Sequence, residues 1–93
     1  MANRLSDNRS PTADNWHFFS DFSSTIDLTD GAHGPKACCR AIQVIGAGSG
    51  QLVVKRQDGT TETVTGLTAG MQIAGACSSI ETSTNVASVV VYW

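Results

Sequence analysis

Residues 51–65, QLVVKRQDGTTETVT, decide how the chain is read. Leu52, Val53 and Val54 form an apolar run of strand length, and Lys55 and Arg56 carry it back to solvent. Asp58-Gly59 is the strongest short-range hairpin signal a sequence holds, because a tight primed turn needs positive φ at its centre and both residues tolerate it. Thr60 to Thr65 then makes a return strand whose β-branched threonines suit the outward side of a pleat.

Working outward, the same grammar holds on both sides. Arg40 to Ile45 reads as the preceding strand, and Gly46-Ala47-Gly48-Ser49-Gly50 breaks the chain before Gln51 to Gln57. After Gly66 a short connection through Gly70 leads to Met71 to Ala76, and beyond the polar run Ser78 to Asn85 comes Val86 to Trp93. Five short strands with turn signals about every dozen residues predict an all-β fold, a small β-sandwich or barrel-like domain over residues 37–93. In the last strand Val89, Val91 and Trp93 share one face, and Val86, Ser88, Val90 and Tyr92 alternate with them. Both faces are substantially apolar, so the strand is buried on both sides or ends at an interface, and Val89, Val91 and Trp93 are expected at a subunit interface.

Residues 1–36 are written differently, rich in Asn, Ser, Asp and Thr, with one apolar clump of Trp16, Phe18, Phe19 and Phe22 followed by Ile26 and Leu28. Trp16, Phe19 and Phe22 would share a helical face, but Ser20, Ser23, Ser24 and Thr25 are poor helix formers. The segment reads as an extended N-terminal arm that orders by docking its aromatics on its own domain or on a neighbour, and deleting residues 1–30 is expected to leave the β-domain folded. A small sheet leaves edges open, and the arm or a second subunit is expected to cover them.

The 93 residues have room for one domain of thin stability margin. Six Lys and Arg against eight Asp and Glu, with no basic run, argue against nucleic acid as a partner. No stretch approaches a membrane helix and MANRLSDNRS lacks the apolar core of a signal peptide, so no membrane partner is expected and synthesis is placed in a host cytoplasm. There the sequon at Asn8 carries no meaning.

The residues give little chemistry. Gly46, Gly48 and Gly50 are followed by Gln51 and a strand, not by the further glycine and helix of a dinucleotide loop. Cys38 and Cys39 are adjacent and point oppositely on a strand, unlike the spaced pairs of zinc sites. A nucleophilic cysteine needs a base, and the histidines, His17 and His33, both lie in the arm, where an encounter of His33 with Cys39 is open but carries no specific signal. Glu62 and Glu81 sit on polar segments and read as solvated charges. No catalytic, metal or cofactor site is expected, and the chain is read as a non-enzyme. Cys38, Cys39 and Cys77 form an odd set, which leaves open three buried thiols in a reducing cytosol or a disulfide to a second subunit after release.

The stretch from Cys39 to Trp93 resembles small virion proteins of tailed phages and gene transfer agents, of the head decoration or spike base type. The resemblance rests on Arg40-Ala41-Ile42, the glycine turn Gly46 to Gly50, Leu52 to Val54, Asp58-Gly59-Thr60, Ala69-Gly70, Met71 to Ala76, and Thr82 to Tyr92. The long arm and vicinal cysteines depart from that pattern. The resemblance implies a homo-oligomer, expected as a trimer, on the capsid surface of a virion. There it would act as a cement or decoration protein on the major capsid protein, with Trp16, Phe18, Phe19 and Phe22 as capsid-binding anchors. Deleting residues 1–30 is then expected to leave the folded β-domain unable to bind capsids. A head-spike base or tail component is the alternative within that class, and a host-directed protein-binding module is the alternative outside it.

Overall fold

The computed structural model describes residues 15–93. Seven strands form one antiparallel sheet: β1 (Trp16–Phe19), β2 (Ile26–Asp27), β3 (Cys39–Gly46), β4 (Leu52–Arg56), β5 (Thr61–Val64), β6 (Gln72–Ile80) and β7 (Ser88–Tyr92). Their order is β1-β7-β3-β6-β4-β5, with β2 paired to β6 off that path. No helix among the described residues is long and apolar enough to cross a membrane. The all-β class holds, and the five expected strands are all present, joined by β1 and β2 from the aromatic segment.

β6 organises the fold. Its first half pairs with β3, Ala74 opposite Ala41 and Gln72 opposite Gln43. Its second half runs between two partners, Ile80 opposite both Ile26 of β2 and Val54 of β4. The strand expected to stop at Ala76 therefore continues to Ile80, because Cys77, Ser79 and Ile80 are all buried there. The sheet's two wings share one core, in which Ile42, Val44, Leu52, Val54, Ile80, Val89 and Val91 pack together.

The hairpin lies where the sequence puts it, but its turn differs from the primed type. The Gly59 amide donates to the Arg56 carbonyl at 2.9 Å and the Arg56 amide to the Thr60 carbonyl at 2.8 Å. This is a three-residue loop, and only its last residue needs the left-handed region, which Gly59 occupies with φ +88°. The Asp58 carboxylate accepts from the Thr60 hydroxyl and amide at 2.7 and 3.0 Å. Those two bonds, the hydroxyl's first, hold its pKa below the usual carboxylate range.

The polar run after β6 closes the open side of β4. Thr84 Oγ1 accepts the Val53 amide at 2.9 Å, and Asn85 Oδ1 accepts the Gln51 amide at 2.8 Å. Gly48 threads beneath this loop with φ +52°, and a β-carbon there would press into the Asn85 carbonyl and lie 2.8 Å from the Ala87 nitrogen. Gly48→Ala is therefore expected to cost about 2–3 kcal/mol, left-handed strain plus a backbone clash. Gly59→Ala, with open space around it, should cost about 1 kcal/mol. Thermal melts of the two variants check the contrast, and equal losses would remove the clash from the account.

From residue 16 onward, the segment read as an arm is built into this sheet. β1 lies along β7, Phe19 opposite Val89, and Phe19 and Leu28 are both buried in the common core. Along residues 21–32 the chain is held by short bonds from backbone amides to carboxylates, Ser23 to Asp21, Thr29 to Asp27 and Ala32 to Asp30. These Asx-type turns explain why a stretch so rich in Ser, Thr and Asp folds without a helix. A chain that begins at residue 31 lacks two strands and two core side chains, so a loss of stability is expected of it in place of an intact fold.

Candidate functional site

The surface that stands out is the β1 edge. The Trp93 amide donates to the Asn15 carbonyl at 2.9 Å, and Trp16 to Phe19 then register with Tyr92 to Val89. By antiparallel alternation, residues 15, 17 and 19 bond to β7. The amides and carbonyls of Trp16 and Phe18 point away from the sheet, toward an edge that no other strand among the described residues covers.

The side chains of the same two residues are exposed, Trp16 by 64% and Phe18 by 48%. They lie on the outer face, because their register partners Tyr92 and Val90 pair in turn with Ala41 and Gln43, and those with Ala74 and Gln72. One row across the sheet thus reads Trp16, Tyr92, Ala41, Ala74, apolar but for a phenol that donates to Gln43 Oε1 at 2.8 Å. Ile45 and Met71, the other exposed large apolar residues among those described, sit at one end of this sheet, where the Val44 amide bonds the Met71 carbonyl. Edge strands are ordinarily blunted by charge, proline or a bulge. β5, at the far edge, carries Glu62 among threonines, whereas β1 has the sequence WHFF.

Of the four aromatics expected to anchor a partner, only Trp16 and Phe18 are presented outward. Phe19 is buried, and Phe22 is half-buried with its ring packed against the core. The expected subunit interface changes more. Val89 and Val91 are fully buried and Trp93 is 3% exposed within a single chain, leaving no area to bury against a second copy. The outward residues of β7 are Val90 and Tyr92, both half-buried.

The titratable groups are dispersed. His17 stacks on His33 and Phe19, with ring centroids 4.5 and 4.7 Å apart. Glu62 lies 3.9 Å from Arg56 Nε at the surface, and Glu81 accepts the Ser79 hydroxyl at 2.5 Å. Among the described residues no group of three or more His, Cys, Asp or Glu is placed to hold a metal ion. Cys39 and Cys77 are both buried and stand opposite each other on β3 and β6. Their thiols share a hydrogen bond, and that bond, ahead of burial, pushes Cys39 far above the ordinary thiol range, while the same bond lowers Cys77. Cys38 is the one partly exposed thiol, so any bond to a second subunit falls to it.

Comparison with known proteins finds no matching family model, no matching curated protein and no matching solved structure.

Proposed function

We propose that this chain is a structural protein of a phage virion head, a homo-oligomeric decoration protein that binds the major capsid protein and stabilises the shell. The observation that carries the reading is the β1 edge, where two exposed aromatics and outward backbone groups sit on a strand that the core holds rigid. Such an edge binds by accepting a further strand or by burying its aromatics in a neighbour's groove. A small domain with a thin stability margin gains from that contact, and the shell gains equally by mass action. The resemblance of residues 39–93 to head decoration and spike base proteins supplies the partner class.

Trp16 and Phe18 act as the anchors in this reading, since aromatics supply most of the energy in small interfaces. The double variant Trp16→Ser, Phe18→Ser is expected to keep its fold, because neither side chain is in the core. Its binding to capsids stripped of the protein should weaken by roughly 10²–10³-fold, from about 2 kcal/mol per anchor. Co-sedimentation measures this, and undiminished binding would move the contact off β1. Quantifying the chain in purified particles tests the class. A decoration protein is present on the order of hundreds of copies and a spike base or tail component on the order of tens. Absence from particles would leave a host-directed binding module as the reading.

A further inference from the structure

We propose that Cys39 and Cys77 are a disulfide site, closed within one chain when it meets an oxidant and open in a reducing cytosol. The two residues are direct register partners on adjacent antiparallel strands, so their β-carbons lie on the same side of the sheet. Directly opposed residues stand roughly 4.5–5.5 Å apart between α-carbons, inside the 4.4–6.8 Å a disulfide spans, so the bond needs no rearrangement of the backbone. Cys38 precedes β3 and has no register partner on β6, whereas Cys39 stands directly opposite Cys77.

The position gives the bond a mechanical role. Cys77 is the point on β6 with β3 on one side and Arg56 of β4 on the other. It also falls where the β3–β6 register shifts, between the pairs Cys39–Cys77 and Ala41–Ala74. A cross-link there pins the irregular junction through which the two wings of the sheet are joined, and closes a loop of roughly forty residues in the unfolded chain. With hydrogen peroxide the chemistry balances. Cys77 takes one peroxide oxygen as a sulfenic acid, and the other peroxide oxygen leaves as water. The Cys39 sulfur then displaces the sulfenic oxygen as a second water, so two thiols lose two electrons and one peroxide becomes two waters. On the virion reading the bond forms after release from the cell; the bond itself does not depend on that reading.

The test uses the full chain, purified reduced and treated with hydrogen peroxide, with remaining thiols then alkylated under denaturing conditions. Expected are the loss of two hydrogens in mass, one alkylated thiol, a monomer on a non-reducing gel, and the same cross-link in Cys38→Ser. The oxidised chain should melt roughly 10–20 °C higher than the reduced one, and dithiothreitol should reverse the gain. Three alkylated thiols, a cross-link that needs Cys38, or a covalent dimer would overturn the assignment. An unchanged melting temperature with the bond formed would overturn its role as a staple. Because no particle is used, a bond found here and a chain missing from virions would separate failure of the functional reading from failure of this one.

Discussion

Val91→Asp is expected to remove most of the stability of the folded state. Val91 is fully buried at the centre of β7, between β1 and β3, with His17 opposite on one side and Ile42 on the other. A carboxylate placed there either loses its hydration or takes up a proton; of its two register partners Ile42 offers nothing polar, and His17 is an exposed ring packed against Phe19 and His33. Together with the lost apolar burial the cost is about 4–6 kcal/mol, against a total stability on the order of 5–10 kcal/mol for a domain of this length. The control is one residue away. Val90→Asp changes the half-buried outer face and should cost about 1 kcal/mol. Far-UV circular dichroism and soluble yield of the two variants decide the matter. If Val91→Asp folds and only its oligomeric mass falls, β7 turns its inner face to a partner instead of to its own core.

Trp93→Ala is expected to lower stability by about 3–5 kcal/mol, the range for deleting a large buried aromatic, and the melting temperature by roughly 15–30 °C. Trp93 clamps residues 15–34 onto the sheet. Its amide bonds the Asn15 carbonyl, its indole Nε1–H donates to the Leu28 carbonyl at 3.0 Å, and its ring lies against Gly34 so closely that a β-carbon there would come within 2.7 Å of it. Removing the ring leaves a cavity beneath Leu28 and a buried carbonyl without its donor. The loss should be regional before it is global, with amide exchange rising first in residues 16–34 of the variant. Trp93→Phe, which keeps much of the ring but not the indole donor, should lose about half as much. Uniform exchange across the chain in Trp93→Ala would show that the aromatic segment and the rest of the sheet open as one unit.

The β-hairpin and the five strands of residues 39–93 were legible because their signals are local. Alternation of side chains, β-branched residues and glycines at forced dihedrals act within a few positions of one another. The turn type was less legible, since Asp-Gly serves both a two-residue primed turn and the three-residue loop found here; the bond from the Gly59 amide to the Arg56 carbonyl selects the second. The reach of β6 to Ile80 was hidden by Ser78 and Ser79, polar residues that look like a connection until β2 and β4 pair on either side of them.

The candidate site was half legible. Clustering of Trp16, Phe18, Phe19 and Phe22 marks an adhesive segment in any reading, but a segment is sorted into core and surface only by the strand beside it. Once β1 pairs with β7, the two-residue period sends Phe19 inward and Trp16 and Phe18 outward. The cysteines show the same division. Three thiols in a sequence leave several pairings open, and the antiparallel register of β3 on β6 brings two of them face to face.

The sequence by itself determined the all-β class, the hairpin, and the alternation of β7 into two apolar faces. Only the tertiary structure decided that Val89, Val91 and Trp93 face the chain's own core, that Trp16 and Phe18 form an exposed edge, and that Cys39 meets Cys77. A period-2 pattern states that a strand has two faces without stating what covers either. That is set by pairing between residues tens of positions apart, whose register no local signal encodes.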